Sequence, residues 1–330
     1  MDGEKGGRIC LYDNVKFLLI VLVVIGHFTQ GYKGLFQSVN VFIYSFHMPL
    51  FLFLAGLFYK GEAVASKAAG YACVGVLLKG CGMLADRLTG GTAALRLLGG
   101  WNVPWFMFVL AGYEILSYGL RNVPKRFVLF AAVLTACLAG YDSSVGDGFY
   151  LSRLIVFYPF FVLGQMCDRE KLAAASRRPA LRWAALAVLA AWGALCLLAR
   201  EQVYPLRTLF LGRKPYAAVQ MFLPWGFFWR LLCYAVTLVT GAAVLCLTPS
   251  ARMPVVTLMG GRTIQIYFWH FIVQTLIAGY GSALCATREG KALWLLLAVL
   301  TALVTGLKPF SFPTKQILRA AKGPPAEREK

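Results

Sequence analysis

The sequence predicts an all-α, polytopic integral membrane protein: a helical bundle of about ten transmembrane helices with both termini in the cytoplasm. Hydrophobic residues make up 59% of the 330 residues, whereas soluble domains contain about 45–50%. Apolar runs long enough to cross a bilayer recur along the whole chain. The predicted spans are residues 13–30, 39–59, 67–86, 103–120, 127–141, 150–167, 182–199, 226–248, 261–281 and 291–308.

The distribution of positive charge predicts the orientation of the bundle. An even number of spans puts both termini on one side, and the termini and loops of that side hold most of the 33 Lys and Arg residues. The positive-inside rule therefore places both termini in the cytoplasm. We expect a multi-pass protein of the cell (plasma) membrane. The chain divides into a cytoplasmic N-terminal segment (1–12), a transmembrane domain (13–308) and a basic cytoplasmic tail (309–330).

Composition argues against a nucleic-acid-binding protein and against a metal site. The net charge of +19 is spread over the loops between apolar runs, which favours topology and attraction to anionic lipid over binding to nucleic acid. The nine cysteines form no C-x-x-C pair, and the three histidines form no H-x-x-x-H pattern. We therefore expect free thiols that pack as small apolar side chains, and no metal ligands.

The first span carries two ionisable residues at an informative spacing. Lys16 opens the apolar run, and His27 lies eleven residues later, about 16 Å further along a helix axis. This puts Lys16 at a membrane surface and His27 near the middle of the bilayer. An ionisable group at that depth is costly and is a candidate functional residue. The alternative is a histidine hydrogen-bonded to a neighbouring helix for packing.

Other polar residues reach the same depth when positions are counted along the predicted spans. These are His47, His270, Glu114 and Lys79. Charged residues in mid-bilayer must face protein or water, and His, Glu and Lys together are suited to proton transfer. The alternative for Glu114 and Lys79 is a structural ion pair between the third and fourth spans.

Pro49 lies inside the second span, two residues after His47. Proline removes a backbone donor and breaks a helix, and such breaks are tolerated where the backbone lines a cavity or packs on protein. The sequence therefore predicts that His47 lines a pocket, with a plain kink as the alternative.

The longest external loop covers about residues 200–225 and mixes aromatic with cationic residues, among them Arg207, Arg213 and Lys214. Such a surface suits a sugar or an anionic polymer docking at the outer face. The alternative is an aromatic belt at the membrane interface.

Four motifs in chain order resemble the acyltransferase 3 family of membrane-bound O-acyltransferases, and within it the branch typified by fucose 4-O-acetylase. The first is Lys16 with ten residues between it and His27. The second is the Phe-His-Met-Pro-Leu-Phe segment within 46–56. The third is Val-Pro-Trp-Phe at 103–106, and the fourth covers 261–270 and ends in Ile-Tyr-Phe-Trp-His.

The resemblance implies transfer of an acyl group, usually acetyl, from cytoplasmic acyl-CoA to a hydroxyl of a sugar or surface glycan at the outer face. Acetyl-CoA is then a co-substrate, and no cofactor is bound permanently. Where the family often has an Arg-x-x-Arg or a basic cluster after the second span, this chain has Lys60, Lys67 and Lys79. The candidate residues are His27, His47 and Glu114 for catalysis, Lys16, Lys60 and Lys67 for the donor, and Trp105, Tyr267 and His270 for the acceptor.

Two other functions fit a bundle with buried polar groups. A transporter or exporter of a glycan or lipid-linked intermediate would use His, Glu and Lys to bind substrate or relay protons. A catalytically silent scaffold in a polysaccharide-assembly complex would tolerate the loss of His27.

Overall fold

The computed structural model describes residues 8–92, 98–99 and 103–321, and the regular structure in these ranges is helical throughout. Residues 1–7 of the predicted N-terminal segment and 322–330 of the predicted tail lie outside the described residues. The helices are α1 (Cys10–Phe28), α2 (Leu35–Tyr44), α3 (His47–Leu57), α4 (Val64–Leu88), α5 (Trp105–Gly119), α6 (Lys125–Ala139), α7 (Leu151–Met166), α8 (Arg169–Ser176), α9 (Pro179–Leu198), α10 (Arg200–Val203), α11 (Leu206–Leu211), α12 (Gly226–Leu247), α13 (Pro254–Gly260), α14 (Thr263–Leu284), α15 (Arg288–Thr305) and α16 (Thr314–Ala320), with short 3-10 turns at Gly148–Tyr150, Tyr216–Ala218, Gln220–Phe222 and Lys308–Ser311.

The all-α, polytopic fold class is confirmed, and every predicted span overlaps a helix. By length and composition, six helical segments of the described chain can cross a membrane. The pair α15 and 308–320, bent by 72°, would make a seventh. Helices α5 and α6 have 15 residues each and are about 22 Å long, shorter than a hydrocarbon core of about 30 Å. The number ten therefore stays a prediction, as does the side of the termini.

The second predicted span is broken at residues 45–46, shortly before Pro49. Helix α2 ends at Tyr44 and α3 begins at His47. Pro49 falls in the first turn of α3, where a missing backbone N–H is tolerated. The break places the His47 side chain at the start of a helix, inside the bundle.

Helix α1 lies at the centre of the bundle, in contact with α2, α3, α12, α13, α14 and α15. Its N-terminal half is anchored by Asn14, whose side-chain amide donates to the carbonyls of Pro249 and Ala251. Its C-terminal end is held by the Trp294 indole, which donates to the Phe28 carbonyl at 2.7 Å. The helix that carries Lys16 and His27 is therefore fixed at both ends.

The segment between α9 and α12 forms a small folded unit in place of an extended loop. The side chains of Val203, Leu209, Phe210, Tyr216 and Phe222 are buried in a second hydrophobic cluster. The Tyr216 hydroxyl donates to the Cys137 carbonyl at 2.8 Å, which ties the segment to α6. This packing holds the cationic residues of the segment against the bundle. All nine cysteines of the chain are free thiols.

Candidate functional site

Two adjacent cavities lie inside the bundle along α1. The inner cavity has a volume of about 810 Å³ and is lined by Lys16. The outer cavity has a volume of about 210 Å³ and is lined by His27. Val23, Met48 and Tyr267 line both cavities, so the two meet at a level between Lys16 and His27.

The three histidines gather beside the outer cavity. The ring centroids of His27 and His270 are 5.5 Å apart, and His47 lines the same cavity as His27. The His27 side chain is partly exposed to the cavity, whereas His47 and His270 are 3% and 0% exposed. The structure thus brings together the three residues that helix rise alone placed at one depth.

Backbone carbonyls fix the tautomer of two histidines. Nδ1 of His47 lies 2.7 Å from the Ile43 carbonyl oxygen, and Nδ1 of His270 lies 2.9 Å from that of Ile266. A carbonyl oxygen only accepts, so each Nδ1 carries a proton and Nε2 is the basic nitrogen of the neutral ring. Nε2 of His270 is buried and has no hydrogen-bond partner among the described residues.

Four cationic side chains line the outer cavity: Arg153, Arg207, Arg213 and Lys214. Arg153 comes from α7, and its guanidinium carbon lies 4.6 Å from the centre of the Trp105 ring. The other three come from the folded unit between α9 and α12. The segment that the sequence predicted to be external and to meet a sugar or an anionic polymer therefore forms part of the cavity wall.

The inner cavity is also lined by cations: Lys16, Arg262, Lys308, Lys315 and Arg319. Nζ of Lys16 lies 2.7 Å from Oδ1 of Asp13, and the Arg262 guanidinium donates to the Gly306 carbonyl at 2.9 Å. The remaining three are exposed and come from the 3-10 turn after α15 and from α16. The chain after α15 thus turns back toward the N-terminal half of α1 and completes this cavity.

Two of the predicted acceptor residues line the cavities, and one does not. Trp105 lines the outer cavity. Tyr267 lines both, and its hydroxyl donates to the Val103 carbonyl. His270 lies behind His27 and lines neither cavity. It is therefore placed to hold the His27 ring, and the other two are placed to contact a ligand.

Three predicted residues lie away from both cavities. Lys60 is exposed on the connection between α3 and α4, and Lys67 follows in the first turn of α4. Glu114 is 8% exposed, its carbonyl accepts from the Tyr59 hydroxyl at 3.4 Å, and Lys67 is the cation that interacts with it electrostatically. These residues form a separate group around the connection between α3 and α4.

The ion pair that the sequence offered as an alternative for Lys79 and Glu114 is not formed. Nζ of Lys79 donates to the Gly99 carbonyl at 2.8 Å and lies 5.3 Å from the centre of the Tyr150 ring. Antiparallel packing of α4 and α5 puts Lys79 near one end of the pair and Glu114 near the other. The two side chains therefore have different neighbours, Gly99 for Lys79 and Lys67 for Glu114.

Sequence reasoning gave no role to Arg153, Arg262, Lys308, Lys315 or Arg319. Arg153 lies in a predicted span, and a charge in a span was a usable signal. The exposed cations after α15 carried no such signal, because a basic tail is also the expected result of the positive-inside rule.

Comparisons with known proteins agree with the four motifs. The profile of the acyltransferase 3 family, described as an acyltransferase domain, matches residues 12–307. The nodulation protein NolL of Sinorhizobium fredii (strain NBRC 101917 / NGR234) is 27% identical over 288 residues, which cover 78% of this chain and 75% of that protein. No solved structure matches the chain significantly.

Proposed function

Because the chain belongs to the acyltransferase 3 family and is an acyltransferase, we propose that it transfers an acetyl group from cytoplasmic acetyl-CoA to a hydroxyl of a sugar or surface glycan. The observation that carries the proposal is the pair of adjacent cavities. One is lined by cations at the Lys16 end of α1, and the other is lined by His27, eleven residues further along α1, and by His47. Donor and acceptor enter from opposite sides and meet beside Val23, Met48 and Tyr267.

The inner cavity suits the donor by size and by charge. Its volume of about 810 Å³ lies within the range of about 300–1,000 Å³ that is common for small-molecule sites. Lysine and arginine bind phosphate groups through charge-assisted hydrogen bonds, and CoA carries three phosphates. We assign Lys16, Arg262, Lys315 and Arg319 to these phosphates, in place of Lys60 and Lys67, because they line the cavity. The thioester end of the donor then points toward His27.

His27 is proposed as the general base. Its neutral ring accepts the proton of the acceptor hydroxyl while the hydroxyl oxygen forms a bond to the thioester carbonyl carbon. The carbon–sulfur bond then breaks, the sulfur leaves as CoA thiolate, and the protonated ring returns the proton to that sulfur. The products are the acetyl ester and free CoA. Attack by His27 itself, with an acetyl-imidazole intermediate, is the second route.

His47 and His270 take supporting roles in this proposal. His47 lines the same cavity as His27. Its Nε2 accepts a hydrogen bond from a sugar hydroxyl and so orients the acceptor, because its Nδ1 already donates to the Ile43 carbonyl. His270 packs its ring against that of His27 and limits the rotation of the base. Positioning of this kind accounts for a large share of the rate of two-substrate reactions.

Transfer of radiolabelled acetyl groups from acetyl-CoA in membranes tests the assignment of His27. The His27→Ala variant is expected to lose at least about 100-fold in rate, the usual contribution of a general base. Cys73→Ala, an exposed position on α4, is the control for expression and handling. Transfer by His27→Ala at the control level would remove His27 from the chemistry. Sugar flux without acetyl-CoA consumption would favour the transporter alternative.

A further inference from the structure

The outer cavity carries an excess of positive charge. Arg153, Arg207, Arg213 and Lys214 line it, and none of its lining residues in the described chain is Asp or Glu. Asp147 is the one carboxylate that pairs with any of these four cations, among the described residues. An uncharged sugar gives no reason to hold four cations around a space of about 210 Å³.

Asp147 makes its hydrogen bonds to Arg213 through one oxygen, Oδ2, and its Oδ1 makes no hydrogen bond in the described chain. The Arg213 guanidinium donates to Oδ2 of Asp147 through two nitrogens, with Nε at 2.8 Å. Arg207 donates to the side-chain oxygen of Asn40, a neutral partner, and its guanidinium carbon lies 5.0 Å from the centre of the Tyr44 ring. Arg207 is thus held in place at the cavity wall with its charge uncompensated.

Arg153 is the most informative of the four. It is 3% exposed, and its Nη1 makes no hydrogen bond in the described chain. The contact between Nη1 and Asp147 measures 3.9 Å, too long for a hydrogen bond. A buried guanidinium with an unsatisfied N–H is costly. Arg153 carries this cost at the wall of a cavity, where a ligand can reach it. A ligand anion would satisfy the free N–H and compensate the charge.

We propose that the acceptor carries an anionic substituent, a carboxylate or a phosphate, which Arg153 and Arg207 bind in the outer cavity. The planar guanidinium matches both groups, since it donates two parallel hydrogen bonds to a pair of oxygens. The ligand's identity as the acceptor rests on the proposed function, and the presence of an anion site does not. The small volume fits one acidic residue of a glycan, bound with a hydroxyl toward His27.

Equilibrium binding to the purified full-length protein tests this without catalysis. The probes are a uronic-acid oligosaccharide, the same oligosaccharide with its carboxylates reduced to alcohols, and a sugar phosphate of equal length. Calorimetric titration is expected to show at least about tenfold tighter binding of one charged probe than of the reduced sugar, the lower end for charge-assisted hydrogen bonds. The two charged probes distinguish carboxylate from phosphate. A higher salt concentration is expected to weaken the binding of the charged probes and to leave the binding of the reduced sugar unchanged.

Three variants connect the binding to the cavity. Arg153→Gln and Arg207→Gln are each expected to remove most of the preference for the charged probe, and the partly exposed Arg207 keeps the test valid if Arg153→Gln fails to fold. Arg200→Gln, an arginine of α10 that pairs with Glu201 and lines neither cavity, is expected to bind like wild type. Equal binding of charged and reduced sugars, no binding of any probe, or a preference unchanged in the folded variants would overturn the proposal. A charged preference without acetyl transfer would leave the anion site standing and reject the proposed function.

Discussion

His27 owes its position to neighbours that are far from it in sequence. The His270 ring lies against it from α14, and Arg153 of α7 and Arg207 of α11 line the same cavity. Its own helix contributes the depth, because eleven residues separate it from Lys16, about 16 Å along the axis. At the residue scale, the site is one partly exposed imidazole held by a buried one, with guanidinium groups nearby.

His270 gives a prediction about positioning. Replacing it with Phe keeps a ring against His27, whereas replacing it with Ala leaves a gap. We expect His270→Phe to keep kcat within about tenfold of wild type and His270→Ala to lose about 100-fold, the scale of a displaced catalytic group. The KM for acetyl-CoA is expected to stay unchanged in both, because His270 does not line the inner cavity.

Steady-state kinetics on matched amounts of folded protein measure this difference. An equal and large loss of kcat in the two variants would show that Nε2 of His270 takes part in the chemistry and would contradict a role in packing alone.

Depth along a helix could be read from the sequence, and the direction of a side chain could not. Counting residues placed His27, His47 and His270 at one level, and the structure joins them. The same counting placed Glu114 with them, but it faces the connection between α3 and α4 and has Tyr59 and Lys67 as neighbours. Helix rise fixes height, whereas rotation about the axis depends on packing against helices that the sequence does not identify.

At the scale of elements, α3 and α7 approach closely through two glycines. A Cβ on Gly56 would overlap the Phe161 carbonyl, and a Cβ on Gly164 would overlap that of Phe53. Small residues are the usual means of close helix packing in membranes, where lipid gives no hydrophobic drive for association. This contact fixes α3, and with it His47, against the helix that carries Arg153.

The two glycines predict a position-specific loss of stability. Gly164→Ala is expected to destabilise the protein by about 1–3 kcal/mol, because the added methyl group has no free space. Gly80→Ala is the matched control. It also lies within a long helix, and nothing is within 4 Å of its would-be Cβ. Thermal unfolding in detergent is expected to show a lower midpoint for Gly164→Ala only, and equal midpoints would contradict the close packing.

Helix α16 completes the inner cavity, which sequence reasoning did not predict. It packs on α4, where a Cβ on Gly70 would meet the Ala321 and Leu318 side chains. Residues 309–330 were expected to form a basic tail. Nothing local to α16 could reveal its return, because it packs on α4, more than 200 positions earlier in the chain, and on α14.

The cations of α16 allow a direct test of which residues bind acetyl-CoA, those that line the inner cavity or the lysines that the sequence indicated. We expect Lys315→Gln/Arg319→Gln to raise the KM for acetyl-CoA by about tenfold, since each lost contact is a charge-assisted one at a partly open site. Lys60→Gln/Lys67→Gln is expected to leave that KM within about twofold of wild type. Initial-rate measurements at varied acetyl-CoA concentration give the KM of each double variant. A larger KM increase in Lys60→Gln/Lys67→Gln than in Lys315→Gln/Arg319→Gln would restore the lysines after the second span as the donor site.

At the scale of the whole molecule, the bundle holds two adjacent cavities along α1, one lined by Lys16 and the other by His27. The fold class followed from hydropathy and charge, which are properties of the chain as a whole. The four motifs identified the family because each places a residue at the cavities: Lys16 and His27 from the first, His47 from the second, Trp105 from the third and Tyr267 from the fourth. The sequence indicated three of the four cations that line the outer cavity. It did not indicate Arg153, which becomes part of the wall through contacts between α5, α7 and the folded unit after α9.

Transfer across a sealed bilayer tests the central claim most directly. The protein is reconstituted into vesicles in one orientation. Radiolabelled acetyl-CoA is supplied at the membrane face nearer the N-terminal end of α1, here called the side of Lys16, and the acceptor sugar at the face nearer its C-terminal end, the side of His27. We predict labelled acceptor in that arrangement, little label when both substrates are supplied only on the side of His27, and loss of at least about 100-fold in His27→Ala. Efficient transfer with both substrates on the side of His27, or transfer that does not depend on His27, would contradict the account.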